Sequence, residues 1–231
     1  MSNLSWPLME DTITFSDRLK MALFVLTSEK LTNGPKVRKF EDKWSQWLGV
    51  KHSLYVSSGS TANTLLISAV KEYYGLSDGD KVLVPSCTWM TNIAPVIQAN
   101  LQPIFCDINL KNFSFDIDEL KYIASEHPDI KAVFITHLIG LSSDVEKVRE
   151  IFPNALILED ICESHGVRGP DGVKRGVKSV GSTFSFYFGH HITTIEGGVV
   201  STNDEVIYNV LLQLRSHGWD RDLSPEKQQR P

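Results

Sequence analysis

Short, continuous apolar runs alternate along this chain with longer segments in which apolar residues return every three or four positions. The clearest runs are KVLVP, KAVFIT and ALILED, which end at residues 85, 136 and 160. A period of three to four predicts a helix, and a short apolar run between turn residues predicts a buried strand. The pattern predicts strands at residues 53–57, 82–85, 104–108, 132–136, 155–159, 182–186 and 199–202, and helices at residues 37–48, 61–74, 91–99, 116–126, 144–151 and 205–217.

The order of these elements predicts the fold class. Strands that alternate with helices are typical of an α/β domain with a largely parallel sheet and helices on both faces. Continuous apolar strands fit this architecture, because a strand covered on both faces has no polar side. In such sheets ligands bind beyond the carboxyl ends of the strands, so the residues after each strand are the candidates for chemistry.

Composition limits the classes of function. The 231 residues are 42% apolar and 22% charged, with a formal net charge of −5, which is typical of a globular domain and argues against a nucleic-acid surface. No apolar run approaches the roughly 20 residues of a membrane span, and no signal-peptide pattern is present. The short basic cluster Lys174, Arg175 and Lys178 is interpreted as a solvated loop.

The three cysteines support an intracellular setting. Cys87, Cys106 and Cys162 are odd in number, far apart and set in apolar runs. Such cysteines are typical of reduced thiols and not of a disulfide framework or a zinc site. We therefore expect a cytoplasmic protein that binds neither a membrane nor nucleic acid.

Two predicted strands are followed by residues that could hold a cofactor. After the first comes SSGSTAN, residues 57–63, in which Gly59 and Ser60 lead into a helix. Backbone amides at a helix N-terminus bind anions and glycine allows a phosphate to approach, although these residue types are also ordinary N-caps. After the second comes SCTWM, whose Trp89 could stack on a flat ring or pack against the core.

Acidic residues end the strand at residues 155–159, in LEDICESHG. Asp160 could pair with the cationic nitrogen of a pyridine ring, as in sites for pyridoxal 5′-phosphate (PLP), or could cap a helix. Glu159, Glu163 and His165 lie close by in sequence. Their spacing matches neither an HExxH zinc motif nor an EF-hand loop, so we expect no metal.

The most unusual stretch is SFYFGHHITTIEGG, residues 185–198. Ser185 could contact a phosphate through its hydroxyl, and His190 and His191 follow in a turn. Adjacent residues do not share a helical face, which disfavours one metal bound by both histidines, and a surface turn with incidental histidines is the alternative. A phosphate cradle, an aromatic ring, an aspartate and a serine, each after a strand, together indicate a PLP site.

These segments, with LTNGPKVRKFE, VPSCTW and LRSHGWDRD, resemble the DegT/DnrJ/EryC1/StrS family of sugar aminotransferases. The resemblance runs from about residue 31 onward. It implies a fold-type I PLP-dependent large domain at residues 31–231, after an N-terminal segment at residues 1–30. Since the family continues into a small C-terminal domain, the resemblance also implies that this chain is C-terminally truncated and poorly active alone.

One departure from the family pattern changes the implied reaction. The family's turn before Glu-Gly-Gly carries a lysine that bonds to the cofactor, and counting back from Glu196 its place is taken by His190. In this turn, and in the Arg-Ser-His-Gly-Trp run, the sequence is similar to the family's GDP-4-keto-6-deoxymannose 3-dehydratases. The resemblance implies a 3-dehydratase of a nucleotide-linked 4-keto-6-deoxy sugar in O-antigen polysaccharide biosynthesis, with PLP or pyridoxamine 5′-phosphate (PMP) as cofactor and L-glutamate as amino donor.

The resemblance also implies a role for each candidate residue. His190 would act as general base, since the ordinary pKa of histidine lies near neutrality. Trp89 would stack on the cofactor ring, and Asp160 would keep the ring nitrogen protonated. Glu163 stands where the family usually has a glutamine near the phenolic oxygen. The phosphate would be bound by Gly59, Ser60 and Ser185. Family dimers build each site from two subunits, so the resemblance implies a homodimer.

Three alternatives remain open at this point. The chain could be a nucleotide-sugar aminotransferase of the same family that uses another base or an external amine. It could be an iron–sulfur 3-dehydrase, although the three cysteines form no cluster motif. It could also be an inactive or non-catalytic remnant.

Overall fold

The computed structural model describes residues 11–228, and within that range it contains seven strands and seven α-helices. The strands are β1 (His52–Val56), β2 (Lys81–Pro85), β3 (Gln102–Cys106), β4 (Ala132–Thr136), β5 (Leu156–Asp160), β6 (Gly181–Ser185) and β7 (Gly198–Thr202). The helices are α1 (Phe15–Thr27), α2 (Pro35–Leu48), α3 (Gly59–Tyr74), α4 (Ala94–Gln98), α5 (Ile117–Glu126), α6 (Val145–Ile151) and α7 (Glu205–Arg215). No helix in the described part of the chain is long and apolar enough to cross a membrane.

The strands form one mixed sheet in the order β1-β7-β6-β5-β4-β2-β3. Strands β2 to β6 pair in parallel, whereas β7 is antiparallel to both of its neighbours, β1 and β6. The prediction of a largely parallel α/β sheet is confirmed. Because β7 runs backwards, its first residue lies at the same edge as the last residues of β1, β5 and β6.

Helices cover both faces of the sheet, as the continuous apolar strands predict. Phe134 of β4 packs in a core with residues of α3 and α7, while its neighbours Val133 and Ile135 pack with residues of α5 and α6. A third cluster lies under α2, where Trp44 meets Phe184 and Phe186.

Two segments differ from the prediction. Helix α1 was not predicted, although Thr14 and Asp17 form a capping box at its start and apolar residues recur along it. The expected boundary at residue 31 lies between α1 and α2, and residues 1–10 and 229–231 of the predicted segments lie outside the described residues. The helix predicted at residues 91–99 is split into a 3-10 turn, Met90–Asn92, and the short α4.

The prediction of a solvated basic cluster is wrong for Arg175, which is 8% exposed. Its guanidinium donates hydrogen bonds of 2.7 and 2.8 Å to the two carboxylate oxygens of Glu146. It also donates one of 2.7 Å to Ser142. The hydrogen bonds from Arg175 lower the pKa of Glu146. They also connect the loop before β6 to α6, which contains Glu146.

Candidate active site

The predicted candidates meet at one edge of the sheet. Gly59 follows β1, Trp89 follows β2, Asp160 ends β5 and Ser185 ends β6. These strands run in the same direction, so their carboxyl ends lie side by side. The turn that contains His190 connects β6 to β7 at the same edge.

The N-terminus of α3 offers unpaired amides. Ser58 is the N-cap, and its hydroxyl accepts a hydrogen bond of 3.1 Å from the amide of Thr61. The Thr61 hydroxyl accepts one of 3.0 Å from the Ser58 amide, which completes a capping box. Within the described chain no hydrogen bond uses the amides of Gly59 and Ser60, so the helix is capped and still presents two donors.

Glycines allow this turn to pack closely against β6 and β7. A Cβ at Gly59 would lie 2.7 Å from Ser185 Cβ and 3.0 Å from Cys162 Sγ. A Cβ at Gly198 would lie 2.1 Å from the carbonyl oxygen of Ser58. The Ser185 hydroxyl therefore lies next to the free amides, and only glycine fits at both positions.

Asp160 is 3% exposed, and its carboxylate accepts three hydrogen bonds. Asn63 and Asn92 each donate their side-chain amide to Oδ2 at 2.8 Å. The backbone amide of Cys162 donates to Oδ1 at 2.9 Å. The hydrogen bond from the Cys162 amide closes a local turn between residues 160 and 162. No α-helix begins there in the described chain, so Asp160 is not a helix cap.

Neighbouring carboxylates have different surroundings. Glu159 points to the opposite face of the sheet, where His137 Nε2 donates to it at 2.9 Å. Burial favours a raised pKa for Glu159, but the hydrogen bond from His137 brings it below its usual value. Glu163 is half-buried near the site, and its Oε2 accepts a hydrogen bond of 3.1 Å from the amide of Ile139.

The turn after β6 holds His190 in a half-buried position. Its backbone amide donates to the Tyr187 carbonyl at 3.0 Å, while His191 is exposed. Burial lowers the pKa of His190 below 6.5, and the charges of Glu163 and Asp160 act in the opposite direction. The ring of His190 is therefore neutral at pH 7 and lies within electrostatic reach of both carboxylates.

A third histidine lies behind the turn. The centroid of the His165 ring lies 6.3 Å from that of the His190 ring, and the His165 ring packs against Trp44 and Phe186. Burial, with the nearby His191 and His190, lowers the pKa of His165 to about 3. Both ring nitrogens are buried, and a weak contact with the backbone of Ser185 raises the pKa less than burial lowers it, so His165 is a neutral member of the aromatic cluster.

Trp89 is 65% exposed and precedes the 3-10 turn, so its indole faces outward at the site edge and is not a core residue. Among the described residues no group of three or more histidine, cysteine, aspartate or glutamate side chains could hold a metal ion. Sequence reasoning assigned no role to Asn63 and Asn92; their signals were that Asn63 ends SSGSTAN and that Asn92 follows Trp89 by three residues.

The arrangement fits a ligand with a phosphate at one end and a protonated ring nitrogen at the other. Two free amides and the Ser185 hydroxyl offer donors to a phosphate, and a fixed carboxylate offers acceptors to an N–H group.

The chain matches a model of the DegT/DnrJ/EryC1/StrS aminotransferase family over residues 14–230. It is 39% identical to a GDP-4-keto-6-deoxy-D-mannose 3-dehydratase from Yersinia pseudotuberculosis over 203 residues, which cover 86% of this chain and 51% of that protein. Two solved structures of this enzyme, one from E. coli with bound hydrated PLP and one with a trapped PLP–glutamate geminal diamine, superpose with TM-scores of 0.88 and 0.89. Each is 34% identical, over 95% of this chain and 57% of that chain. The chain thus spans about half the length of the curated relatives that it matches.

Proposed function

The chain belongs to the DegT/DnrJ/EryC1/StrS aminotransferase family, and from that membership we propose that it is a PLP-dependent 3-dehydratase of a nucleotide-linked 4-keto-6-deoxy sugar. The observation that carries the proposal is the neutral, half-buried His190 at the edge that also holds Asp160. An imidazole forms no stable Schiff base with an aldehyde, so the turn has no amine to hold the cofactor covalently. The likeness to GDP-4-keto-6-deoxy-D-mannose 3-dehydratases supports loss of the C3 hydroxyl.

Each polar end of PLP or PMP has complementary residues. The free amides of Gly59 and Ser60 and the hydroxyl of Ser185 would bind the phosphate. Asp160 would accept a hydrogen bond from the protonated ring nitrogen. When bound, PMP supplies an amino group and a ring that accepts electrons.

Two further residues would frame the ring. The exposed indole of Trp89 would stack on one face of it, which also excludes water. Glu163, already held by the amide of Ile139, would lie beside the phenolic oxygen. Because an ionised carboxylate only accepts hydrogen bonds, the phenolic oxygen would have to carry a proton to pair with Glu163.

His190 would move the protons of the reaction. Because burial lowers its pKa, the ring is unprotonated at pH 7 and accepts a proton at an imidazole nitrogen. Glu163 and Asp160 stabilise the resulting cation, since their charges raise the same pKa. The protonated ring then donates to the departing C3 hydroxyl, which leaves as water.

We also propose the two substrates, the oligomeric state and the cellular location of the chain. The keto sugar would be linked to a nucleotide, and L-glutamate would be the amino donor, as the PLP–glutamate structure of the related enzyme supports. Exposed apolar residues of α1, such as Phe15 (80%), Leu19 (61%) and Leu26 (82%), support a homodimer. Free cysteines in the described chain support a cytoplasmic location.

A product assay tests the reaction. The chain is incubated with PLP, L-glutamate and GDP-4-keto-6-deoxymannose, and products are identified by mass spectrometry. Each sugar that loses its C3 oxygen should consume one glutamate and release one 2-oxoglutarate and one ammonia. His190→Asn should reduce turnover at least about 100-fold, because a positioned general base contributes that much or more.

His191→Asn is the matched control, because its exposed ring makes no such contribution, and it should retain turnover. An amino sugar as product would contradict the dehydratase and favour an aminotransferase. Equal activity of the His190 variant and the unsubstituted chain would contradict the role of His190.

A further inference from the structure

We propose that Asn63 and Asn92 are positioning residues that fix the carboxylate of Asp160 so that Oδ1 faces the ring nitrogen of the cofactor. This inference rests on the proposed function, since it assumes that PLP or PMP is the ligand. It adds two residues that act through Asp160 and do not touch the reacting atoms.

The hydrogen bonds that the Asp160 carboxylate already accepts decide which of its two oxygens can face the ring nitrogen. An ionised carboxylate has two acceptor positions on each oxygen. Oδ2 receives both asparagine amides at 2.8 Å, so both of its positions are filled. Oδ1 receives the backbone amide of Cys162 at 2.9 Å and no asparagine. The Cys162 thiol also contacts this carboxylate, but a thiol is a weak donor that a charged N–H group displaces. The remaining acceptor position of the buried carboxylate is therefore on Oδ1.

Each asparagine is itself oriented by a threonine. The hydroxyl of Thr183 donates to Asn63 Oδ1 at 2.6 Å, and the hydroxyl of Thr88 donates to Asn92 Oδ1 at 3.0 Å. These bonds direct the NH₂ group of each side chain toward Asp160. Both asparagines are at most 1% exposed, so water does not compete for these groups.

Asn63 also couples the two ends of the site. It lies four residues after Gly59 in α3, so both residues are on the same face, one helical turn apart. The first turn of α3 presents the amides proposed for the phosphate, and the second turn holds Asp160. A single rigid helix thereby sets the distance between the phosphate site and the acceptor for the ring nitrogen.

The test compares PLP with its 1-deaza analogue, in which carbon replaces the ring nitrogen. Dissociation constants of both are measured for the unsubstituted chain, Asn63→Ala and Asn92→Ala. The unsubstituted chain should prefer PLP by about tenfold or more, as expected for a hydrogen bond to a charged group. Each variant should lose most of that preference and bind the analogue within a few-fold of the unsubstituted chain. A residue with a merely structural role would weaken both ligands equally.

Asn203→Ala is the matched control. Its side chain also makes two hydrogen bonds, to Lys51 and Val177, at the opposite edge of the sheet, and it should keep the full preference for PLP. If Asn63→Ala does not fold, Thr183→Val replaces it, and if Asn92→Ala does not fold, Thr88→Val replaces it. Each valine removes the hydroxyl that orients the asparagine and has nearly the same volume as threonine. They should lower the preference for PLP as well.

The outcomes separate this inference from the proposed function. No binding of PLP by the unsubstituted chain contradicts the proposed function and the inference with it. If PLP binds and the folded asparagine variants, or the threonine variants that replace them, keep the full preference for PLP, the inference alone is overturned. Equal binding of PLP and its analogue by the unsubstituted chain also overturns it, while cofactor binding stands.

Discussion

Replacing His165 with Phe should remove a loss of stability that the chain suffers as the pH falls. His165 packs among Trp44, Phe184 and Phe186, and the effect of burial on its ring outweighs a weak contact with the backbone of Ser185. Phe keeps the aromatic packing and has no group to protonate. The variant therefore isolates the cost of keeping one imidazole neutral.

The magnitude follows from the two pKa values of His165. In the unfolded chain the ring takes up a proton near its ordinary pKa of 6.5, whereas burial lowers the pKa in the folded chain to about 3. Between these values the unfolded state binds more protons, so stability falls as the pH falls through this window. From pH 7 to pH 5 the loss is about 2 kcal/mol, since each pKa unit corresponds to about 1.4 kcal/mol.

Urea unfolding at pH 7 and pH 5 measures this difference. The unsubstituted chain should lose about 2 kcal/mol more than His165→Phe between the two pH values. Any overpacking by the larger ring acts equally at both pH values and cancels in the comparison. The control is His217→Asn, at an exposed position, which should behave as the unsubstituted chain does. Equal losses in the His165 variant and the unsubstituted chain would refute the reasoning.

Three further predictions concern the site and the core. Gly59→Ala should cost about 1–3 kcal/mol in urea unfolding, because its Cβ would lie 2.7 Å from a β6 side chain, whereas Ser60→Ala at the exposed next position should cost little. Arg175→Met should cost about 1–3 kcal/mol in the same assay, because it removes the hydrogen bonds of a buried guanidinium to Glu146, Ser142 and the Ser143 carbonyl; a neutral result would contradict this. If His190 is the base, the acid limb of the kcat/KM profile should lie below pH 6.5, and a limb above it would contradict the lowered pKa of His190.

Strand positions could be predicted because both faces of the sheet are covered. Strands β2, β4 and β5 are largely apolar runs, so their ends mark the site edge to within a residue, as with Asp160 after the predicted strand at residues 155–159. The alternation of side chains along β5 then separates Asp160 from Glu159, which faces His137 on the other side.

Other features depend on contacts between distant parts of the chain. Asn63 and Asn92 meet Asp160 across 97 and 68 residues, and no local pattern indicates such a pairing. Arg175 was misjudged for the same reason, since its partner Glu146 lies 29 residues away in α6. A run of basic residues predicts exposure only where no residue from a distant part of the chain pairs with one of the charges.

The most direct test of the central claim is a spectroscopic titration of the chain with PLP, followed by borohydride reduction and mass spectrometry, and then by addition of L-glutamate to an unreduced sample. If His190 takes the place of the lysine, PLP should bind, reduction should leave no covalent adduct on any lysine, and glutamate should convert the bound cofactor to the PMP spectrum. A reduced adduct on one specific lysine would contradict the account and would favour an aminotransferase.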